Sequence, residues 1–240
     1  MKGMTVLYSA IFIVLTAVQC RKKDTPVTTT GNVFPVNQGN SVQTYLALGD
    51  SYTIGQSVAT AERFPAQTTA ILRNNGINIA DPKYVATTGW TTDNLNQALD
   101  DQHITGRYDV VTLLIGVNDQ FQRHDTTGYR ERFRNLLVRS ISFAGNDRNK
   151  VFVLSIPDYG VTPFATYYDT AFIRKQINEF NDINRQETLL AYCHYLDITN
   201  STREAATDPT LVANDGLHPS GKEYAKWAAW LAPMMKQVLQ

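Results

Sequence analysis

The chain has 240 residues, 43% hydrophobic and 18% charged, enough apolar side chain for a sizeable core and unlike a disordered chain. Lys plus Arg and Asp plus Glu both number 22. The formal charge is therefore zero, which argues against a polyanion binder, and no nucleic-acid partner is expected. Two cysteines exclude a disulfide-dense scaffold and a four-thiolate zinc site.

Lys2 opens the chain with a positive charge, and Met4 to Val18 is then almost continuously apolar, interrupted only by Thr5, Ser9 and Thr16. That run has the length of a signal-peptide core and is short of the ~20 residues a spanning helix needs. It stops at Cys20, followed by Arg21-Lys22-Lys23-Asp24. A lone cysteine there resembles the lipidation site of a bacterial lipoprotein, with Ala17-Val18-Gln19 as a loose form of the usual preceding box. Ordinary signal-peptidase cleavage nearby and an uncleaved anchor are the other readings, and all three imply export. Residues 1–19 are expected to be the signal peptide. Residues 20–41 are expected to be a tether, because 24–41 are rich in Thr, Pro, Gly and Asn with little periodicity. The folded domain is expected over 42–240, in the cell envelope (periplasm or outer surface), touching a membrane only through a lipidated N-terminus.

From Thr44 onward short apolar runs alternate with helical patterns. Tyr45-Leu46-Ala47-Leu48 reads as a buried strand ending in Gly49. Phe64 to Leu72 reads as a helix stopped by Asn74-Asn75-Gly76. Lys83 to Ala86 is a weaker strand, and Asp93 to Leu99 a helix that Thr91 or Thr92 can cap. Val110 to Ile115, six residues in a row, suits a strand buried on both faces. Tyr129 to Ala144 is a basic amphipathic helix ended by Gly145-Asn146. Val151 to Ile156 is a strand, Ala171 to Tyr192 a long helix, Tyr195 to Ile198 a fifth strand and Gly221 to Leu239 a final helix. Strands alternating with helices predict a three-layer α/β/α domain around a five-stranded parallel sheet. In such sheets ligands bind at the carboxyl ends of the strands.

Those ends carry the polar residues. The first strand ends in Gly49-Asp50-Ser51-Tyr52, the second is followed by Thr87-Thr88-Gly89-Trp90, and the third by Gly116-Val117-Asn118-Asp119. Asp215-Gly216-Leu217-His218-Pro219 precedes the last helix. Ser, Gly, Asn and His in this order, spanning nearly the whole domain, resemble the SGNH family of esterases and lipases, also called GDSL hydrolases. The resemblance implies the flavodoxin-like fold of that family and ester hydrolysis without cofactor or metal.

The chemistry of acyl transfer asks for the same set: an activated nucleophile, a base, an orienter of that base, and donors for the developing oxyanion. Ser51 is the candidate nucleophile and His218 the base. Asp215, three residues earlier, can hold the imidazole tautomer. Ser51 N–H, Gly89 N–H and the Asn118 side-chain amide are the candidate oxyanion donors; a glycine lets ligand approach the backbone, and a neutral amide carries no buried charge. Asp50 is read as structural, bonding nearby loop amides, and Asp119 as doing the same on its own loop.

Other signals are weaker. Residue 53 is Thr, so Gly49 to Thr53 is not the Gly-x-Ser-x-Gly elbow. Gly216 to Lys222 starts like a phosphate loop but continues with Glu223 where Ser or Thr is required. His103, His124 and His194 are scattered and are assigned to surface or loop. Cys193 reads as a small buried hydrophobe. Phe121, Tyr159 and Phe164 are candidates for the substrate pocket, the last two in an aromatic stretch after the fourth strand. The Arg130, Arg132, Arg134 and Arg139 face is assigned to solvent.

The expected activity is hydrolysis of carboxylic esters, short acyl or acetyl esters first, through an acyl-serine intermediate in a monomeric domain. A lysophospholipase or thioesterase of the same family is the enzymatic alternative. A surface lipoprotein that binds glycan or lipid without turnover is the non-enzymatic one.

Overall fold

A computed structural model describes residues 41–240. The strands β1 (Tyr45–Gly49), β2 (Lys83–Ala86), β3 (Val110–Leu114), β4 (Val151–Leu154) and β5 (His194–Leu196) pair in parallel in the order β2-β1-β3-β4-β5. Every residue of the inner strands β1, β3 and β4 is buried. Covering on both faces explains why Val110 to Leu114 reads as an unbroken run instead of an alternation. The polar member of that run, Thr112, is satisfied by the Tyr45 hydroxyl at 3.0 Å.

Eight α-helices surround the sheet among the described residues: α1 (Ser51–Ile54), α2 (Phe64–Asn74), α3 (Thr92–Asp101), α4 (Val117–Arg123), α5 (Tyr129–Phe143), α6 (Thr170–Leu190), α7 (Thr199–Thr202) and α8 (Gly221–Leu239). From β1 the chain steps one way to β2, then crosses back to β3 and continues to β5. Right-handed crossovers therefore set α2 on one face and α3, α5 and α6 on the other. Packing agrees: α2 lies against α8, while α5 contacts both α3 and α6. Buried Phe64, Tyr224 and Trp227 join α2 to α8, with Tyr224 edge-on to Trp227 at 5.0 Å. Tyr129 and Phe180, 4.4 Å apart, join α5 to α6. Each buried ring of this size contributes about 1.5–3 kcal/mol.

The reversal of strand order falls between β1 and β3, whose last residues Gly49 and Leu114 sit side by side. The crevice beyond them is where open α/β sheets hold ligands. Gly49 is needed at this junction. A Cβ there would lie 2.1 Å from Thr53 Oγ1 and 2.4 Å from the Leu114 carbonyl oxygen, so a side chain would prise α1 away from the sheet.

Several expectations need correction. β5 begins at His194 and ends at Leu196, so His194 is a strand residue and not surface or loop. Its ring stacks on Phe152 of β4 at 4.7 Å and 11°. His103 and His124 are exposed, and Cys193 is buried. The arginine face of α5 is an ion-paired seam. Arg130 and Arg134 both reach Glu187 of α6, Arg132 reaches Asp93 and Asp119, and Arg139 reaches Asp100. These side chains remain part-exposed, so each pair adds little energy, but their stems cover the joint between helices. The signal peptide, Cys20 and the tether up to residue 40 lie outside the described residues.

Candidate active site

The serine block is built by a cap. Asp50 Oδ1 accepts the Tyr52 N–H at 3.0 Å, which starts α1 one residue after β1 and puts Ser51 at the first helical position. Gly55, at φ 67°, ends the helix after a single turn. Asp50 is buried, and burial pushes its carboxyl up to about 8; the Tyr52 hydrogen bond opposes that shift and the nearby Asp119 adds to it. The Ser51 N–H is one of the free donors at a helix start; no acceptor among the described residues takes it.

The next two blocks face it across the switch point. Gly89 has φ +81°, and nothing lies within 4 Å of where its Cβ would be. The glycine is therefore demanded by its left-handed backbone and not by crowding from the protein. Gln122 Nε2 holds the Gly89 carbonyl at 3.1 Å, while no acceptor among the described residues takes the Gly89 N–H. Asn118, in the first turn of α4, donates Nδ2 to the Trp90 carbonyl at 3.0 Å and stands 3.5 Å from Asp50 Oδ2. Its amide is thus fixed to the glycine loop and to the cap of the serine helix.

Asp215 and His218 sit on a loop closed upon itself. Val212 bridges Pro219, Ala213 N–H donates to the His218 carbonyl at 2.7 Å, and Ser220 N–H to Leu211 at 2.8 Å. The turn within it needs Gly216 at φ 72°. Asp215 Oδ1 accepts the Leu217 and His218 backbone N–H groups, both at 3.0 Å. Its Oδ2 meets His218 Nδ1 at 2.6 Å. Partial burial alone would raise the Asp215 carboxyl, but the donated bonds outweigh it and hold the group well below the usual carboxylate range. An ionised Asp215 accepts from Nδ1–H, which leaves the His218 Nε2 lone pair available. Tyr52 supports the imidazole ring with centroids 5.0 Å apart.

Ser51, Gly89, Asn118 and His218 line one cavity of about 120 Å³, together with Phe121, Tyr159 and Phe164. Asp215 stands behind His218, outside that lining. No hydrogen bond links Ser51 Oγ to the imidazole; catalytic contacts of this kind often tighten only with substrate bound. The three rings contact one another, Phe121 lying 5.9 Å from Tyr159 and 6.1 Å from Phe164. The Phe164 N–H donates to the Gly216 carbonyl at 2.9 Å, tying the aromatic stretch to the histidine loop.

Asp119 departs from the expected role. It does not serve its own loop but receives the Thr92 N–H at 2.8 Å and the Thr92 hydroxyl at 2.7 Å, at the start of α3. Burial raises its carboxyl against those bonds and the Arg123 and Arg132 charges. Sequence reasoning also missed the Tyr52 ring, the Trp90 carbonyl, Gln122 and Ser57, whose hydroxyl donates to Asp215 Oδ2 at 2.7 Å. No local signal marks these residues, because their partners are distant in the chain.

The doubly wound sheet thus brings a hydroxyl, a carboxylate-held imidazole and amide donors to its switch point. The sequence model of the GDSL-like lipase/acylhydrolase family matches residues 47–226. The chain belongs to that family and is a hydrolase acting on ester bonds. Among solved structures it is similar to Axe2, an acetylxylan esterase from Geobacillus stearothermophilus, with TM-score 0.62 and 17% identity over 80% of this chain and 94% of that one. It is similar to the lipase/acylhydrolase from Enterococcus faecalis, with TM-score 0.59 and 18% identity over 82% and 96%. It also resembles TesA, with TM-score 0.61 and 15% identity over 82% and 99%. Likeness at these identities carries the fold. Comparison with curated protein sequences yields no match.

Proposed function

We propose that the protein hydrolyses short-chain carboxylic esters through an acyl-serine intermediate. Ser51 Oγ attacks the ester carbonyl and gives its proton to His218 Nε2. The Ser51 and Gly89 N–H groups and the Asn118 amide hold the oxyanion. The carbonyl–alkoxide bond then breaks, and Nε2 passes the proton to the departing alcohol. Water attacks the acyl-serine with Nε2 again taking the proton, and acid and free Ser51 result. Asp215 holds the tautomer and steadies the imidazolium.

The observation that carries this reading is the 2.6 Å contact between His218 Nδ1 and Asp215 Oδ2, with the ring on the cavity wall that Ser51 shares. A cavity of about 120 Å³ is small beside the roughly 300–1,000 Å³ of pockets for drug-sized ligands, which favours acetyl and other short acyl groups over long lipid chains. Export and lipidation at Cys20 belong to the same proposal and rest on the N-terminal sequence.

Fluorophosphonate labelling combined with a panel of p-nitrophenyl esters, acetylated glycans and lysophospholipids tests it. The expected result is label on Ser51 and fastest turnover of the shortest acyl groups. Ligand binding without label would favour a non-catalytic module, and fastest turnover of lysophospholipids or long-chain thioesters would favour the lipid-ester alternative.

A further inference from the structure

Two consecutive residues just past α1 reach both flanks of the site. Gln56, whose N–H bonds the Ser51 carbonyl at 3.0 Å, meets the Thr88 hydroxyl through its side-chain Oε1, next to Gly89. Ser57 then turns the other way, and its hydroxyl donates to Asp215 Oδ2 at 2.7 Å. That is the oxygen which also meets His218 Nδ1. Ser57 makes this contact from a left-handed backbone, φ +67°, a conformation that is unfavourable for a residue with a Cβ. Glycine would be the undemanding choice at such a position; the residue present is one whose hydroxyl reaches the carboxylate.

We propose that Ser57 is a positioning residue for the Asp215–His218 pair, the third member of a hydrogen-bonded chain that sets the orientation and basicity of the imidazole. The proposal rests on the acyl-serine reading above. Two backbone donors hold Asp215 Oδ1 and His218 meets Oδ2; the Ser57 hydroxyl adds the fourth hydrogen bond to the carboxylate. The hydroxyl also shares the negative charge that the imidazolium would otherwise feel in full. Its place in the chain adds a second effect: the loop that presents the nucleophile and the carboxylate that orients the base are joined directly, 158 residues apart in sequence.

The other titratable groups around the imidazole make no hydrogen bond to the Ser57 hydroxyl. Tyr52, Asp158, Tyr159 and Glu223 line the small cavity on the far side of His218. Asp158 is paired with Arg203, and Glu223 with Trp227 and Lys226. Asp50 and Tyr224 lie deeper in the core, and Glu62 borders the groove outside Ser57. A change in pH profile on losing the hydroxyl is therefore assignable to Asp215 and His218.

The experiment compares wild type, Ser57→Ala and Ser57→Gly in p-nitrophenyl acetate hydrolysis between about pH 5 and 9. In both variants kcat should fall roughly tenfold, the scale of one hydrogen bond to a charged group, with KM unchanged. The acidic limb of kcat/KM should move to higher pH, because a carboxylate with one donor fewer holds the imidazolium proton more tightly. Ser57→Gly relieves the backbone and should melt no lower than wild type, so a shared kinetic defect cannot be a folding defect. A limb that stays put or moves to lower pH, or a loss of rate confined to the less stable variant, overturns the proposal. Ser51→Ala is assayed alongside. If it is inactive while the Ser57 variants match wild type, the positioning role alone fails; if it keeps wild-type turnover, the reading beneath it fails as well.

Discussion

Asn118 donates its side-chain amide to the Trp90 carbonyl at 3.0 Å, so a donor that follows β3 is oriented by the backbone of the loop that follows β2. One hydrogen of that amide is committed to Trp90, and the other faces Asp50 Oδ2 at 3.5 Å, a contact long enough to yield to an oxyanion in the cavity that Asn118 helps to line. Asn118→Ala should therefore lower kcat by about 10²–10³, the usual loss for one oxyanion donor. KM should change little, because the interaction strengthens in the transition state. Steady-state kinetics on p-nitrophenyl acetate measure this; an unchanged kcat would remove Asn118 from the donor set.

Ser51→Ala removes the hydroxyl and leaves the Asp50 cap of α1 in place. Melting temperature should stay at the wild-type value, while ester turnover and fluorophosphonate labelling disappear. Residual wild-type turnover would point to a different nucleophile.

Asp215→Asn replaces one acceptor oxygen by an NH2 group. Whichever way the amide faces, it sets a donor against donors: the two backbone N–H groups on one side, or Ser57 and His218 Nδ1 on the other. The neutral imidazole would then adopt the wrong tautomer. The expected fall in kcat is about 10⁴-fold, read from the same assay, and a loss below tenfold would contradict the orienting role.

Asp50 makes stability depend on pH in an unusual direction. Its folded carboxyl is pushed up to about 8 by burial, above the ordinary aspartate value it regains on unfolding. The folded state thus binds the extra proton between those two values, and this group's contribution to stability falls as pH rises from about 4 to about 8. Asp50→Asn keeps an oxygen to cap Tyr52 N–H but cannot ionise. Thermal melts across that range should show a shallower decline in the variant; parallel curves would mean that Asp50 does not titrate there.

Phe164 is part-exposed at the cavity edge and touches Phe121. Phe164→Ala should widen the acyl side and raise relative kcat/KM for longer p-nitrophenyl esters over acetate. An unchanged chain-length ratio would separate this ring from acyl selection.

Much of the architecture was legible because burial on both faces leaves long apolar runs. Val110 to Leu114 and Tyr45 to Gly49 are strands of the kind anticipated, and Thr91 caps α3 through Asn94. The one-turn helices α1 and α7 and the seven-residue α4 were not, since such lengths hold too few turns for periodicity to register. The polar β5 was misplaced because Cys193-His194-Tyr195 carries no alternation. In the site, motif order named the residues that now share a cavity. Contacts that cross the chain, such as Ser57 to Asp215 and Asp119 to Thr92, carry no mark in local sequence. The arginines of α5 misled for the same reason: their carboxylate partners stand on neighbouring helices.

The packing of α2 against α8 has a consequence for how the molecule comes into being. One of the earliest helices and the last one cover the same side of the sheet, and the loop bearing Asp215 and His218 leads straight into the latter. A polypeptide cannot close that layer until the nineteen-residue α8 is available to it. Ester-cleaving competence should therefore arrive all at once, when α8 docks, and a chain truncated before Gly221 should be inactive and sensitive to protease.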